Sequence, residues 1–249
     1  GLVLIKRLSD AVRDGDNIYA VIRGGAISND GKEKMSYAAS SARGQVACVQ
    51  RALSNAQIDP QTLGFIESHG TGTAMGDPEE VKALSTALRE HTDKTAFCAL
   101  GAVKNNVGHL EAAAGIVSLI KAALVVKTGI IPPVTHYTQP NPKIHFEKTP
   151  FYVNTALKKW GKGKTPRRAA VNSLGVGGTN AFLILEEFVP PRRARKTALP
   201  GPFIVPLSAR TEAALQRAVA RLHDFLAVEE KIDLANVAYT LPVGREAMA

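Results

Sequence analysis

Apolar positions fall along the chain as short runs alternating with stretches of helical spacing, which predicts a repeated strand-then-helix order. Leu2–Lys6 and Ile18–Ile22 read as strands, and Asn29-Asp30-Gly31 as a turn. Val46, Ala47, Val49 and Leu53 recur on one face of a helix spanning Ala42–Ala56. A buried strand follows at Leu63–Glu67. Asp77-Pro78-Glu79-Glu80 then marks a helix start, with Asp77 as N-cap, Pro78 at the first helical position and acids in the first turn; the helix is expected to reach Glu90. Phe97–Val103 is the next strand and Lys104–His109 its exit loop. The helix over Leu110–Lys127 is apolar nearly all round, as expected of one buried among other elements. Gly129 stops it, and prolines 132, 133, 140, 142 and 150 make the next segment an irregular excursion. Phe151–Asn154 is a short strand; Ala169–Leu174 and Ala181–Glu186 flank a hairpin-like turn.

This order predicts an α/β layered domain over residues 1–187. Val189–Pro202 has linker composition. Beyond it, a strand at Phe203–Leu207, a helix capped by Ser208 or Thr211 and ending near Leu226, and a helix over Asp233–Thr240 make residues 188–249 a small second domain.

The composition, 45% hydrophobic and 21% charged over 249 residues, is that of an ordinary globular protein. Cys48 and Cys98 make no disulfide framework, which fits a reducing, cytoplasmic home. Ala112–Val126, interrupted by Ser118 and Lys121, is too short for a membrane span. The chain opens on Gly1 directly into an apolar run, so a piece of something longer is expected.

The net charge of +9 is uneven, with Lys158, Lys159, Lys162, Lys164, Arg167, Arg168, Arg192, Arg193, Arg195 and Lys196 clustered against Glu186 and Glu187. Such a cluster suits an acidic partner or a solvated linker. Nucleic acid is disfavoured, because no recognition motif accompanies the charge and aromatics are only 6%.

The candidate chemistry lies on two loops. His69 follows the Leu63–Glu67 strand on a Gly-rich turn, at the carboxyl end of a strand, where open α/β sheets bind ligands. His109 sits in a similar setting, with Lys104 before it and Glu111 after it. Two imidazoles converging on one carbonyl would form an oxyanion-binding pair. Metal binding is less supported, since no HxxxH or CxxC spacing occurs. GVGGTN at 175–180 lacks the lysine of a phosphate loop and runs into a strand, so its glycines suit a backbone-lined pocket or N–H donors.

ESHGTGT at 67–73, VKNNVGHLEAAAG at 103–115 and NSLGVGGTNAF at 172–182 resemble, in order and spacing, the three C-terminal motifs of β-ketoacyl synthases of modular polyketide synthases; PNPKIHF and PFYVNT fit the same family. The likeness covers Gly1 to about Glu187, and the tail resembles the subdomain that follows such ketosynthases. Its VGREAM ending looks more like enzymes served by a separate acyltransferase. The resemblance implies the C-terminal half of a thiolase-like αβαβα body with a small α/β linker subdomain. It also implies a Cys-His-His site that joins an acyl thioester to malonyl-acyl carrier protein by decarboxylative Claisen condensation. By motif, His69 and His109 would hold the thioester oxyanion. Lys104 would orient His109, with Glu111 paired to it and Asn106 in support. Thr71 and Thr73 would contact the phosphopantetheine arm, Leu174 would stand at the gate of the substrate pocket, and Gly177 and Gly178 would lie on the loop that faces the nucleophile. No metal and no directly bound cofactor is implied. The partners would be the acyl carrier protein, docking on 158–196, the N-terminal ketosynthase half, and a second copy in a homodimer; neither nucleic acid nor a membrane is among them.

Leu174 stands where the family usually has Phe, a change expected to alter gating or chain-size preference, and Phe182 where it usually has His. Neither cysteine lies in the family's nucleophile motif, so the chain alone is expected not to condense anything. A non-condensing relative that gates, holds or dimerises is the alternative reading.

Overall fold

The computed structural model describes residues 1–32, 41–190, 201–229, 232–244 and 246–248. They belong to two compact units, Gly1–Val189 and Pro190–Ala249. In chain order the first unit contains α1 (Leu8–Asp14), β1 (Val21–Asn29), α2 (Ala42–Ala56), β2 (Leu63–Glu67), α3 (Gly76–Arg89), β3 (Cys98–Gly101), α4 (Lys104–Val107), α5 (Ala114–Thr128), β4 (Ile130–Ile131), β5 (Phe151–Val153), β6 (Lys158–Lys159), β7 (Arg168–Gly175) and β8 (Thr179–Glu186). The second contains α6 (Glu212–Val228) and α7 (Leu234–Val243).

Six strands form one sheet in the order β1-β8-β7-β2-β3-β5. β7, β2, β3 and β5 run parallel, while β8 and β1 add antiparallel neighbours at one side. The two-residue period of a strand divides the side chains between two cores. Ile66, Leu100, Ala170 and Ile184 pack with Val49, Leu53, Leu84 and Leu88 of α2 and α3. On the opposite face Phe65, Ala99, Val171 and Leu185 pack with Ala122, Val125 and Val126 of α5. Each fully buried Leu or Phe in these cores contributes roughly 1.5–3 kcal/mol relative to exposure. The exits of β2 and β3, which carry the two histidines, therefore emerge side by side between three helices.

Several expectations change. Leu2–Lys6 forms no strand; Leu2, Leu4 and Ile5 are exposed, and the regular element is α1, closed by Gly15 in the left-handed conformation. An apolar run becomes a strand only where a sheet edge pairs with it, and among the described residues none does. The strand expected at Ile18–Ile22 begins at Val21 and continues through Gly24-Gly25 to Asn29. Those glycines look like breakers, yet a Cβ at Gly24 would lie 2.6 Å from the Ala56 amide nitrogen, so the position serves close packing of β1 on α2. α3 starts at Gly76, so Asp77 is not the N-cap; its carboxylate accepts the Gly72 N–H at 3.0 Å. α5 begins at Ala114, after a 3₁₀ turn over Glu111–Ala113. Only its sheet side is fully buried, with Ile116 and Ile120 half-buried and Leu124 exposed.

In the second unit Phe203–Leu207 is not a strand. Thr211 rather than Ser208 caps α6, accepting the Ala214 N–H, and Asp233 caps α7 through the Ala235 N–H. Among the described residues no helix is long and apolar enough to cross a membrane.

Candidate active site

The Gly-rich turn after β2 brings His69 back over the end of the sheet. Gly70 and Gly72 have φ of 48° and 75°, a region that favours glycine. The turn is anchored from below by Glu80, just past the first turn of α3. This fully buried carboxylate accepts the His69 N–H at 2.7 Å, the Gly70 N–H at 2.9 Å and the Asn172 amide at 2.7 Å. Burial pushes the Glu80 pKa up, against the pull of those donors. One side chain thus fixes the histidine's backbone and ties it to β7.

The second loop leaves β3, makes the single turn α4, and turns again at Gly108, whose φ is 76°. His109 follows and is exposed. The two imidazoles lie edge-to-face with centroids 5.6 Å apart and planes at 81°. The separate loops meet in one place.

Backbone donors fix both tautomers. The Leu174 N–H donates to His69 Nδ1 at 3.3 Å, and the Glu111 N–H donates to His109 Nδ1 at 3.0 Å. A nitrogen that accepts carries no proton, so the neutral ring of each histidine keeps its proton on Nε2 as a donor. Burial above all, with the Lys104 ammonium and His109 adding repulsion, lowers the His69 pKa to about 4 from an ordinary 6.5. His69 is therefore neutral near pH 7. Together the rings offer two Nε2–H donors, the arrangement that holds a developing oxyanion.

Lys104 serves His69 more directly than His109: its ammonium donates to the His69 carbonyl oxygen. Burial lowers its pKa, opposed by Glu80 and Glu67. Glu111 does not pair with Lys104; no ion pair joins them among the described residues, because the carboxylates acting on Lys104 come from below the loops. The contribution of Glu111 is its backbone N–H, presented at a φ of 48°. Asn106 is exposed and makes no side-chain hydrogen bond among the described residues. The neighbouring Asn105 does, exchanging bonds of 3.0 Å with Thr135.

Thr71 and Thr73 are exposed beside His69, and Thr73 Oγ1 accepts the Gly76 N–H at 3.0 Å. Leu174 reaches the site through its amide. Gly177 and Gly178 make the β7–β8 turn with φ of 99° and 90°, and the Gly178 carbonyl accepts the Asp30 N–H at 2.8 Å. Cys48 and Cys98 are both buried and burial raises both thiol pKa values, the reverse of an activated nucleophile. Among the described residues no group of three or more His, Cys, Asp and Glu could hold a metal.

Sequence reasoning missed Glu80 and Asn172 as parts of the site. In the sequence Glu80 looks only like a first-turn acid favouring the helix start. Its signal lies in spacing: a carboxylate about one helical turn beyond a Gly-rich loop can reach back to that loop's free amides.

The family model described as "Beta-ketoacyl synthase, C-terminal domain" matches residues 19–138, and the "Ketoacyl-synthetase C-terminal extension" matches 140–248. Polyketide synthase PksN of Bacillus subtilis (strain 168) is 42% identical over 99% of this chain, which spans 5% of that protein. Polyketide synthase PksL of the same organism is 43% identical over 100% of the chain, which spans 6% of it. The crystal structure of ketosynthase twelve from the bacillaene polyketide synthase of Bacillus amyloliquefaciens superposes with a TM-score of 0.84 at 43% identity, over 98% of this chain and 42% of that one. The fold is accordingly thiolase-like, and the relatives are condensing, acyl-transferring enzymes. With its histidine loops and both family matches in sequence order, the chain belongs to the β-ketoacyl synthases of polyketide synthases, and the part of the ketosynthase it matches is the C-terminal one.

Proposed function

We propose that this chain supplies the oxyanion-binding half of a decarboxylating condensation site. The observation that carries the reading is the pair of imidazoles meeting edge-to-face with both Nδ1 atoms occupied by backbone donors. In the proposed reaction a malonyl thioester places its carbonyl oxygen between the two Nε2–H groups. Loss of CO₂ leaves an enolate whose oxygen the two donors stabilise. The enolate carbon then attacks an acyl thioester held on cysteine, forming the C–C bond and releasing the thiolate. That cysteine would come from the N-terminal half of the ketosynthase, since Cys48 and Cys98 are unsuited, so this chain alone condenses nothing. The half-open side of α5, with Leu124 exposed, suits packing by that other half.

Lys104 and Glu111 support the loops in this reading; Asn105, not the exposed Asn106, takes the structural part of the motif. Thr71 and Thr73 offer hydroxyls to a phosphopantetheine arm delivered by the acyl carrier protein, while Leu174, Gly177 and Gly178 border the acyl pocket. Residues 1–187 form the ketosynthase portion and 188–249 the flanking subdomain of a cytoplasmic, dimeric enzyme. Carrier docking cannot rest on Arg167 or Arg168. Arg167 forms an ion pair with Glu187, and Arg168 bonds Glu186 at 2.7 Å and Thr62 at 2.8 Å. Of the basic segment, the exposed Lys158, Lys159, Lys162 and Lys164 remain available; Arg192, Arg193, Arg195 and Lys196 lie outside the described residues.

The test is CO₂ release from malonyl-carrier protein by the intact ketosynthase, with and without His69→Ala/His109→Ala. Loss to background supports the reading, and decarboxylation that survives the double substitution overturns it.

A further inference from the structure

Glu67 is the last residue of β2 and is completely buried, two positions before His69. The strand period turns it to the same face as Phe65, toward α5. One carboxylate oxygen accepts the N–H of Val103, the residue preceding Lys104. The other lies 2.8 Å from the ammonium of Lys121 on α5, a side chain only 14% exposed and standing 5.8 Å over the Phe65 ring. Gly101, paired with Glu67 across β2 and β3, leaves the room: a Cβ there would sit 2.6 Å from the same carboxylate oxygen. The Ser68 amide and hydroxyl both donate to the Gly101 carbonyl, at 2.9 and 2.8 Å, closing the same junction.

We propose that Glu67 and Lys121 form a positioning pair that sets the relative placement of the two catalytic loops. Glu67 joins the start of the His69 loop to the start of the loop carrying His109. Lys121 fixes how α5, which begins five residues after His109, seats on the sheet. Neither residue touches the reacting atoms. Burial raises the Glu67 pKa, while Lys121, the Val103 N–H and Lys104 oppose the rise, so the ammonium is what favours the charged, accepting carboxylate. A buried charge left without its partner is the costly state; a neutral pair is not. This inference rests on the function proposed above, and it adds two residues whose work is spacing rather than bonding to substrate.

The experiment uses the intact ketosynthase and measures two steps separately: acyl loading on the upstream cysteine, and CO₂ release from malonyl-carrier protein. The expectation for Glu67→Gln and for Lys121→Met is a loss of about tenfold or more in kcat for CO₂ release, with acyl loading and the KM for malonyl-carrier protein unchanged. The double variant should recover most of that loss, a coupling of about tenfold in the cycle. Lys121→Gln, which keeps a hydrogen-bonding end, is the fallback if Lys121→Met does not fold, and should lose less. Equal losses in both steps, or additive losses in the double variant, would reduce the pair to general stability and overturn the inference. If wild type releases no CO₂ at all, the functional reading fails instead, so the two failures are told apart.

Discussion

The two histidine loops hold the same tautomer by different means. His109 takes its Nδ1 bond from Glu111, two residues away, and is exposed. His69 takes its bond from Leu174, 105 residues away, is half-buried, and hangs on the buried carboxylate of Glu80. One ring is fixed by local chain geometry, the other by the tertiary fold. Local fixation survives damage elsewhere in the molecule but depends on a residue held in the left-handed region. Long-range fixation is strong only while β2, α3 and β7 keep their mutual positions.

Substitutions should separate the two modes. The largest effect is expected on removing either ring: in the intact ketosynthase His69→Ala and His109→Ala should each lower CO₂ release by about 10²–10³-fold, as for a lost oxyanion donor. A loss under tenfold at either position would break the symmetry of the pair. Next, Glu80→Ala leaves the amides of His69, Gly70 and Asn172 without an acceptor and should cost about 3 kcal/mol in urea unfolding. An unchanged midpoint would mean that the His69 loop does not depend on its long-range anchor.

The pH dependence should then distinguish the rings. The His69 pKa falls to about 4 in the folded state from 6.5, so between those values the unfolded chain binds more protons. Stability should rise with pH across about 4 to 6.5 and be complete above that window. His69→Gln should flatten that part of the unfolding profile; a profile identical to wild type would refute the buried, neutral ring. The smallest effect concerns the local mode. Glu111→Gly removes the left-handed strain at a φ of 48° at the cost of chain entropy, for a net gain of about 0.5 kcal/mol. A loss of more than about 1 kcal/mol would show that the Glu111 side chain contributes something beyond its amide.

Much of this architecture is legible in the sequence because its signals are local. The α2 repeat, the 63–67 strand, the Gly129 stop and the 168–186 hairpin each follow from period or turn chemistry. The β1 glycines mislead because their reason is contact with α2, which no local pattern carries. Leu2–Ile5 misleads in the opposite direction, being apolar without a partner strand among the described residues. Within the candidate site the motifs single out His69, His109 and Lys104 by loop position and residue type, and the fold brings the three together. The partners of Lys104 are not legible in this way. Glu111 is near it in sequence, but Glu80 and Glu67 approach from other elements, and a buried carboxylate looks like any solvated acid until the fold covers it.

Arg167 fills the hollow over Gly129, where an added methyl would collide with its guanidinium. That arginine is building material rather than bait, and the same is true of Arg168 clasping Glu186. The two pairs cancel each other's field locally, while the net charge of +9, which already counts both carboxylates, is carried elsewhere. Ionic-strength titrations of any complex should report the exposed lysines near β6 and be blind to these guanidiniums.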